Sequence, residues 1–321
     1  MAELRMLYIT TANPRAQGDL LEVSIFHGLK TILGDNFVDY PEKKIMYHDW
    51  SETTKDELHG RGFSLYKYPL KNLSIDRKSI DLGSFDVVLF GTLTHYDGYP
   101  DYSFITKLYP ENRIWYLDGH DMYGSAPVMG HHNGQHIIGN QKTNSFKREL
   151  IFPQDKVYPT GFGIPEYQIR EIDFNKKTQL FAKTAPSFAR FGYEPEMGTR
   201  HHHVFTEEDP YYEDMEKSWF GLTCKKGGWD CLRHYEIIAA GALLLFRDYN
   251  QKPNTCSPQD LPCYSYSSPE ELNSIVNRLL INNTPTEEYI EMLNNQRRWL
   301  FDKGTTIARA KYIIDTIKSN L

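Results

Sequence analysis

Cysteine is scarce in this chain of 321 residues, and its four copies, Cys224, Cys231, Cys256 and Cys263, contain no Cys-x-x-Cys pair. That spacing indicates neither a zinc framework nor a disulfide scaffold, and Cys224 and Cys231 are expected to pack as small apolar groups. Long hydrophobic runs are missing too. Gly241 aside, the longest runs from Ile237 to Phe246, far short of the roughly 20 residues that span a bilayer, so no membrane anchor is expected. Positive charge is not in excess: the formal net charge is −6, which provides no global field of the kind that draws a protein to nucleic acid. Repeats and low-complexity tracts are absent. The opening Met1-Ala2-Glu3-Leu4-Arg5 lacks the basic head, apolar run and cleavage site of a signal peptide, and a cytoplasmic location is the expectation.

What is present is an ordinary globular composition, 40% hydrophobic and 24% charged, in a chain long enough for two domains. The N-terminal half alternates strand-like and helix-like stretches in the manner of a doubly wound sheet. Strands are expected at 5–11, 85–90 and 114–117, with a helix over 19–33. A stretch rich in Pro and Gly, 151–164, marks the boundary, giving domains 1–160 and 161–321. Further strands are expected at 178–182, 219–224 and 243–246, with a helix over 231–240. Ser268-Pro269-Glu270-Glu271 has the form of a capping box with Pro at the first helical position, Thr284-Pro285-Thr286-Glu287 repeats it, and the tail reads as helix.

The most informative segment is Lys225-Lys226-Gly227-Gly228-Trp229-Asp230-Cys231-Leu232-Arg233-His234-Tyr235-Glu236. It reads as a glycine turn between a strand and a helix. First-turn amides without intrahelical partners, joined to the helix dipole, favour an anion there. Lys226 and Arg233 add positive charge, and Asp230 is the expected N-cap. Glu236 lies three residues beyond Arg233 on one face, and one carboxylate has two oxygens with which to receive two adjacent ribose hydroxyls. Phosphate on the turn and ribose on Glu236 describe a nucleotide; a plain surface pair between Arg233 and Glu236 is the competing reading.

Glu236-Ile237-Ile238-Ala239-Ala240-Gly241-Ala242 before an apolar strand resembles the nucleotide-sugar-binding helix of GT-B glycosyltransferases. The fuller Gly-Trp-Asp-x-Leu-Arg-x-x-Glu form, with Phe146-Lys147-Arg148-Glu149-Leu150 and Phe162-Gly163-Ile164-Pro165, is similar to the glycosyltransferases grouped with spore-maturation and cell-surface polysaccharide proteins. These segments make up about a tenth of the chain. The resemblance implies two Rossmann-like α/β domains facing a cleft, a last helix that crosses back to the first domain, and a basic residue such as Arg190 reaching the diphosphate. One departure stands out. The large retaining GT-B families carry a second Glu eight positions before the ribose-binding one, and here that position is Gly228, so the stereochemical outcome is left open.

In open parallel sheets, ligands lie beyond the carboxyl ends of the strands. That rule selects Gly18-Asp19, Thr94-His95-Tyr96-Asp97 and Asp118-Gly119-His120-Asp121. Asp19, His95 and Asp121 are, in that order, the candidates for a general base acting on an acceptor hydroxyl; capping and turn roles compete at each. Asp118, His120 and Asp121 also read as an alternative divalent-metal cluster, although no metal or other cofactor is expected in a GT-B enzyme. The histidine groups around His131, His132 and His136, and at His201-His202-His203, read as loops.

The expected function is transfer of a sugar from a nucleotide-diphosphate-sugar to a saccharide or other hydroxyl acceptor, with Arg190, Lys226, Gly227, Gly228, Asp230, Arg233 and Glu236 at the donor. An epimerase or phosphorylase on the same fold, a non-catalytic nucleotide-sugar-binding or assembly subunit, and a nucleic-acid base glycosyltransferase are the rivals.

Overall fold

The computed structural model describes residues 4–10, 20–47, 58–65, 75–91, 103–121, 128–132, 135–138, 144–184 and 205–321. The first half gives β1 (Met6–Ile9), α1 (Leu20–Leu33), β2 (Phe37–Tyr40), β3 (Val87–Phe90), α2 (Ser103–Thr106) and β4 (Ile114–Asp118). An antiparallel pair, β5 (Val128–His132) and β6 (Gln135–Ile138), precedes β7 (Ser145–Lys147) and β8 (Val157–Pro159). Six of these strands form one parallel sheet in the order β2-β1-β3-β4-β7-β8.

A strand buried on both faces has no reason to alternate polar with apolar residues. Met-Leu-Tyr-Ile of β1 and Val-Val-Leu-Phe of β3 are accordingly apolar throughout and buried. Met6 and Tyr8 join one core, and Leu7 and Ile9 another, on opposite faces of the pleat. The carboxyl end of β1 carries a buried ion pair, Lys43 to Glu22 at 2.9 Å, with Thr10 hydrogen-bonded to both.

The second half gives β9 (Gln179–Phe181), α3 (Glu208–Glu216), β10 (Ser218–Cys224), α4 (Leu232–Ala239), β11 (Leu243–Arg247), β12 (Tyr264–Tyr266), α5 (Pro269–Leu279), α6 (Glu287–Trp299) and α7 (Thr306–Lys318). Its sheet is also parallel, in the order β12-β11-β10-β9. Leu272, Ile275, Val276 and Leu279 of α5, with Tyr289 and Leu293 of α6, bury their apolar stripe against Trp219, Phe220, Leu222, Leu243 and Leu245. Ser268 caps α5, accepting Glu271 N–H at 3.2 Å. The second capping motif is corrected by two residues: Thr284-Pro285 pairs with Leu280-Ile281 as a short antiparallel bridge, and Thr286 is the cap, accepting Tyr289 N–H.

The last helix returns to the first sheet. α7 packs on α1 so closely that a Cβ at Gly28 would stand 2.0 Å from the Thr306 carbonyl oxygen, and only glycine fits there. Beside it, His27 Nδ1 lies 2.8 Å from Thr306 Oγ1, while Phe146 and Tyr158 meet Tyr312 and Asn320. Phe162-Gly163-Ile164 is threaded between the two halves: Ile164 N–H donates to Gly304 O, Thr306 N–H to Ile164 O, and Arg309 Nε to Phe162 O.

Burial lowers the His27 pKa from 6.5 to about 4. Above pH 6.5 neither the folded nor the unfolded chain holds this proton. Below it the unfolded chain binds first, so this site costs stability as pH falls from 6.5 toward 4, by about 2 kcal/mol at pH 5. In urea unfolding, His27→Gln is expected to shrink the stability difference between pH 7 and pH 5 by that amount; an unchanged difference would show that His27 titrates normally.

Candidate functional site

Every residue of β10 is buried, so the chain leaves the sheet only at Lys225, where it folds over itself with Lys226 N–H donating to Gly228 O at 3.1 Å. Lys226 and Gly227 are exposed, whereas Gly228, Trp229 and Asp230 are buried. His234 ties this turn to the strand. Its Nε2 lies 3.0 Å from Trp229 O and its Nδ1 3.0 Å from Thr223 Oγ1. A carbonyl only accepts, so Nε2 carries the proton and Nδ1 accepts the threonine hydroxyl. Burial holds the pKa of His234 at about 3, and the ring stays neutral.

Asp230 is not the cap of α4. The N-cap is Cys231, with no side-chain capping bond, and the Asp230 carboxylate turns the other way, accepting Phe162 N–H and Tyr235 O–H, each at 2.9 Å. Burial raises its pKa, against the opposing pull of Arg148. Local cap preference is worth about 1 kcal/mol, and two bonds to buried donors outweigh it.

The first sheet meets this turn through Phe146-Lys147-Arg148-Glu149. Lys147 and Asp118 form a fully buried ion pair at 2.7 Å, and Asp118 also accepts His120 N–H. Arg148 donates from Nε and Nη2 to Gly119 O, from Nη2 to Asp121, and from Nη1 to Asp230 O at 2.7 Å and Glu149 at 3.1 Å. Its guanidinium lies over the Phe162 ring. The Glu149 carboxylate accepts Trp229 N–H at 3.0 Å and Asp230 N–H at 3.1 Å; burial raises its pKa, and Arg148 opposes that rise. A Cβ on Gly228 would come within 2.2 Å of this carboxylate. The space that a side chain at position 228 would fill therefore holds an acid delivered from the other sheet.

Asp121, expected on the acceptor side, stands at the same turn. Its side chain is 56% exposed, one oxygen bonds Arg148, and a Cβ at Gly227 would lie 2.2 Å from the other. Arg233 is half-buried. Glu236 accepts the hydroxyls of Ser64 and Tyr211, and burial raises its pKa against the influence of Ser64, Tyr211 and Arg233. The structure thus puts Asp121 against Gly227 and joins it through Arg148 to Asp230, with Lys226 and Gly228 in the same turn, while Arg233 acts on Glu236 farther along α4. Asp19, His95, Arg190 and His201-His202-His203 lie outside the described residues, and His131, His132 and His136 lie in β5 and β6. Among the described residues no group of three or more His, Cys, Asp or Glu is placed to hold a metal ion.

Ser64, Tyr211, Glu149 and His234 also belong to this site, and no local sequence pattern marks a role for them. The string carrying Arg148 and Glu149 was visible without a role; for Ser64, 172 positions from Glu236, sequence offers no signal.

No family model and no curated protein matches the sequence. Among solved structures, an alpha-glucosyltransferase in complex with UDP-glucose and DNA containing an abasic site is similar at TM-score 0.51 and 8% identity, with 98% of each chain covered. An alpha-glucosyltransferase in complex with UDP and a 13-mer DNA containing a HMU base matches at TM-score 0.48 and 10% identity, over 99% of this chain and 100% of that one. At such identity the likeness is one of fold: α/β with parallel sheets, as in Rossmann-like GT-B enzymes. Among the described residues no helix is long and apolar enough to cross a membrane.

The two glycines of the turn differ in what they touch. Gly228→Ala drives a methyl into a buried, fully bonded carboxylate and is expected to cost about 1–3 kcal/mol. Gly227→Ala displaces only the exposed Asp121 and is expected to cost under about 1 kcal/mol. Equal losses in denaturant unfolding would contradict this packing.

Proposed function

We propose that the chain is a glycosyltransferase that moves a sugar from a nucleoside-diphosphate sugar to a hydroxyl acceptor. One observation carries the reading: the loop at the carboxyl end of β4 touches the loop at the carboxyl end of β10, Asp121 against Gly227, so the ligand-binding edges of two parallel sheets face each other. Residues 161–321 hold the donor and residues 1–160 the acceptor in this reading, in the arrangement of the spore-maturation-like family that the motifs resemble.

Lys226, Arg233 and the start of α4 stabilise the charge that grows on the departing diphosphate, with Arg190 assigned the same task. No step calls on a metal. Glu236 takes the ribose hydroxyls. Asp230 shapes the turn from behind, through Phe162 and Tyr235. Asp121, exposed beside Gly227, is assigned the acceptor's proton, with Asp19 and His95 as the further candidates for that base. A soluble protein working in the cytoplasm fits this chemistry.

A nucleic-acid acceptor is the second reading, supported by the fold neighbour that was solved with both UDP-glucose and DNA and opposed by the net charge of −6. Its mark would be DNA binding that weakens steeply with salt.

Calorimetric titration with UDP, GDP, ADP and CDP, followed by their glucose conjugates, tests the donor assignment. Saturable binding is expected, and Glu236→Ala is expected to raise Kd by roughly ten- to a hundredfold. Affinity unchanged by Glu236→Ala would remove the ribose role. With a turnover assay in place, Asp121→Asn is expected to keep donor affinity and lower turnover by about two to four decades; near-normal turnover would return the base to Asp19 or His95. Tight donor binding without turnover on any acceptor would make the chain a binding subunit.

A further inference from the structure

The Glu236 residue is only 5% exposed, and each of its carboxylate oxygens already holds a hydroxyl. Ser64 Oγ donates to Oε1 at 2.5 Å, and Tyr211 O–H donates to Oε2. Two hydroxyls, one on each oxygen, is the pattern that a vicinal diol makes on a carboxylate. The two come from different parts of the chain. Tyr211 belongs to α3. Ser64 belongs to residues 58–65, whose Leu58 and Leu65 are buried in the core shared by both halves.

Ser64 is held there against its own backbone preference. Its φ is +68°, in the left-handed region that a residue with a Cβ occupies only when its surroundings over-determine it. Three contacts impose it: Ser64 N–H donates to Glu208 at 2.7 Å, its Oγ lies 2.6 Å from Tyr212 O–H, and the Phe63 ring packs on Tyr211 at 5.5 Å. Glu208 is fixed in turn by Gln168 at 2.9 Å. A strained serine is thus clamped by α3 with its hydroxyl on the carboxylate of α4.

We propose that Ser64 and Tyr211 form a latch in which protein hydroxyls occupy the ribose-binding oxygens of Glu236, and that a ribonucleotide donor binds by displacing the Ser64 hydroxyl. The inference rests on the assignment of Glu236 to the ribose. Ser64 is the member that leaves, because its departure relaxes a left-handed backbone, whereas Tyr211 sits in a regular helix. Apparent donor affinity is then reduced by the fraction of molecules in the latched state, and residues 58–65 report on occupancy of a site that they do not line once it is filled.

The test is calorimetry with whichever of UDP, GDP, ADP and CDP binds the wild-type chain most tightly, on Ser64→Gly, Ser64→Ala and Glu236→Ala. Ser64→Gly removes the hydroxyl and tolerates the positive φ, so it remains informative if Ser64→Ala fails to fold. Both serine variants are expected to bind about tenfold more tightly than wild type. In hydrogen exchange, residues 58–65 of the wild-type chain are expected to lose protection when the nucleotide is added. Equal or weaker binding by Ser64→Gly, with Glu236→Ala still impaired, overturns the latch and makes Ser64 a support for Glu236. Failure of every folded form to bind, or normal binding by Glu236→Ala, overturns the ribose assignment itself and the latch with it.

Discussion

A guanidinium has five N–H groups, and Arg148 spends five hydrogen bonds inside the protein, on Gly119 O twice, Asp121, Glu149 and Asp230 O. An ion so enclosed loses several kcal/mol of hydration, and the loss is tolerable only because each donor faces an oxygen. The dependence runs both ways. Gly119 O and Asp230 O turn inward toward a positive charge, and the Glu149 carboxylate can sit on the Trp229 and Asp230 amides because Arg148 neutralises it. The loop after β4 and the glycine turn after β10 are therefore two sides of one electrostatic knot, and the cleft edge has the shape that this knot imposes.

The consequence for the turn is chemical as well as mechanical. Two of its amides, at Trp229 and Asp230, are consumed by Glu149. In the donor site proposed above, positive potential then comes from residues on either side of them, Lys226 on the turn and Arg233 at the start of α4. Gly228 leaves room for the Glu149 carboxylate, which approaches the turn from the loop after β7 and supplies negative charge where a side chain at 228 would stand.

Much of this was legible in the sequence where the signal is local. Apolar runs marked β1, β3, β10 and β11 because buried parallel strands need no polar alternation, and Ser268 before Pro269 marked the start of α5. Local rules failed where a distant partner decided the outcome. Asp230 has the chemistry of a cap but bonds Phe162, 68 positions away. Lys147 and Arg148 resemble surface residues, since charges are seldom fully buried, and only the fold supplies Asp118 and Gly119. Strands of three residues, such as β7 and β8, are too short to show a period. Glu236 was visible as a carboxylate on the same face as Arg233, but the Ser64 and Tyr211 hydroxyls resting on it were not.

The return of α7 to α1 also sets a clock. His27 and Thr306 are 279 positions apart, and at a synthesis rate of 5–20 residues per second the second partner follows the first by roughly 15–60 s. Through that interval Gly28 offers a notch with no helix to fill it, and the first sheet waits with one face unfinished. Assembly of the N-terminal half is thus tied to the emergence of the last helix, and a ribosome that stalls within the second half leaves behind a sheet whose closing element has not yet been made.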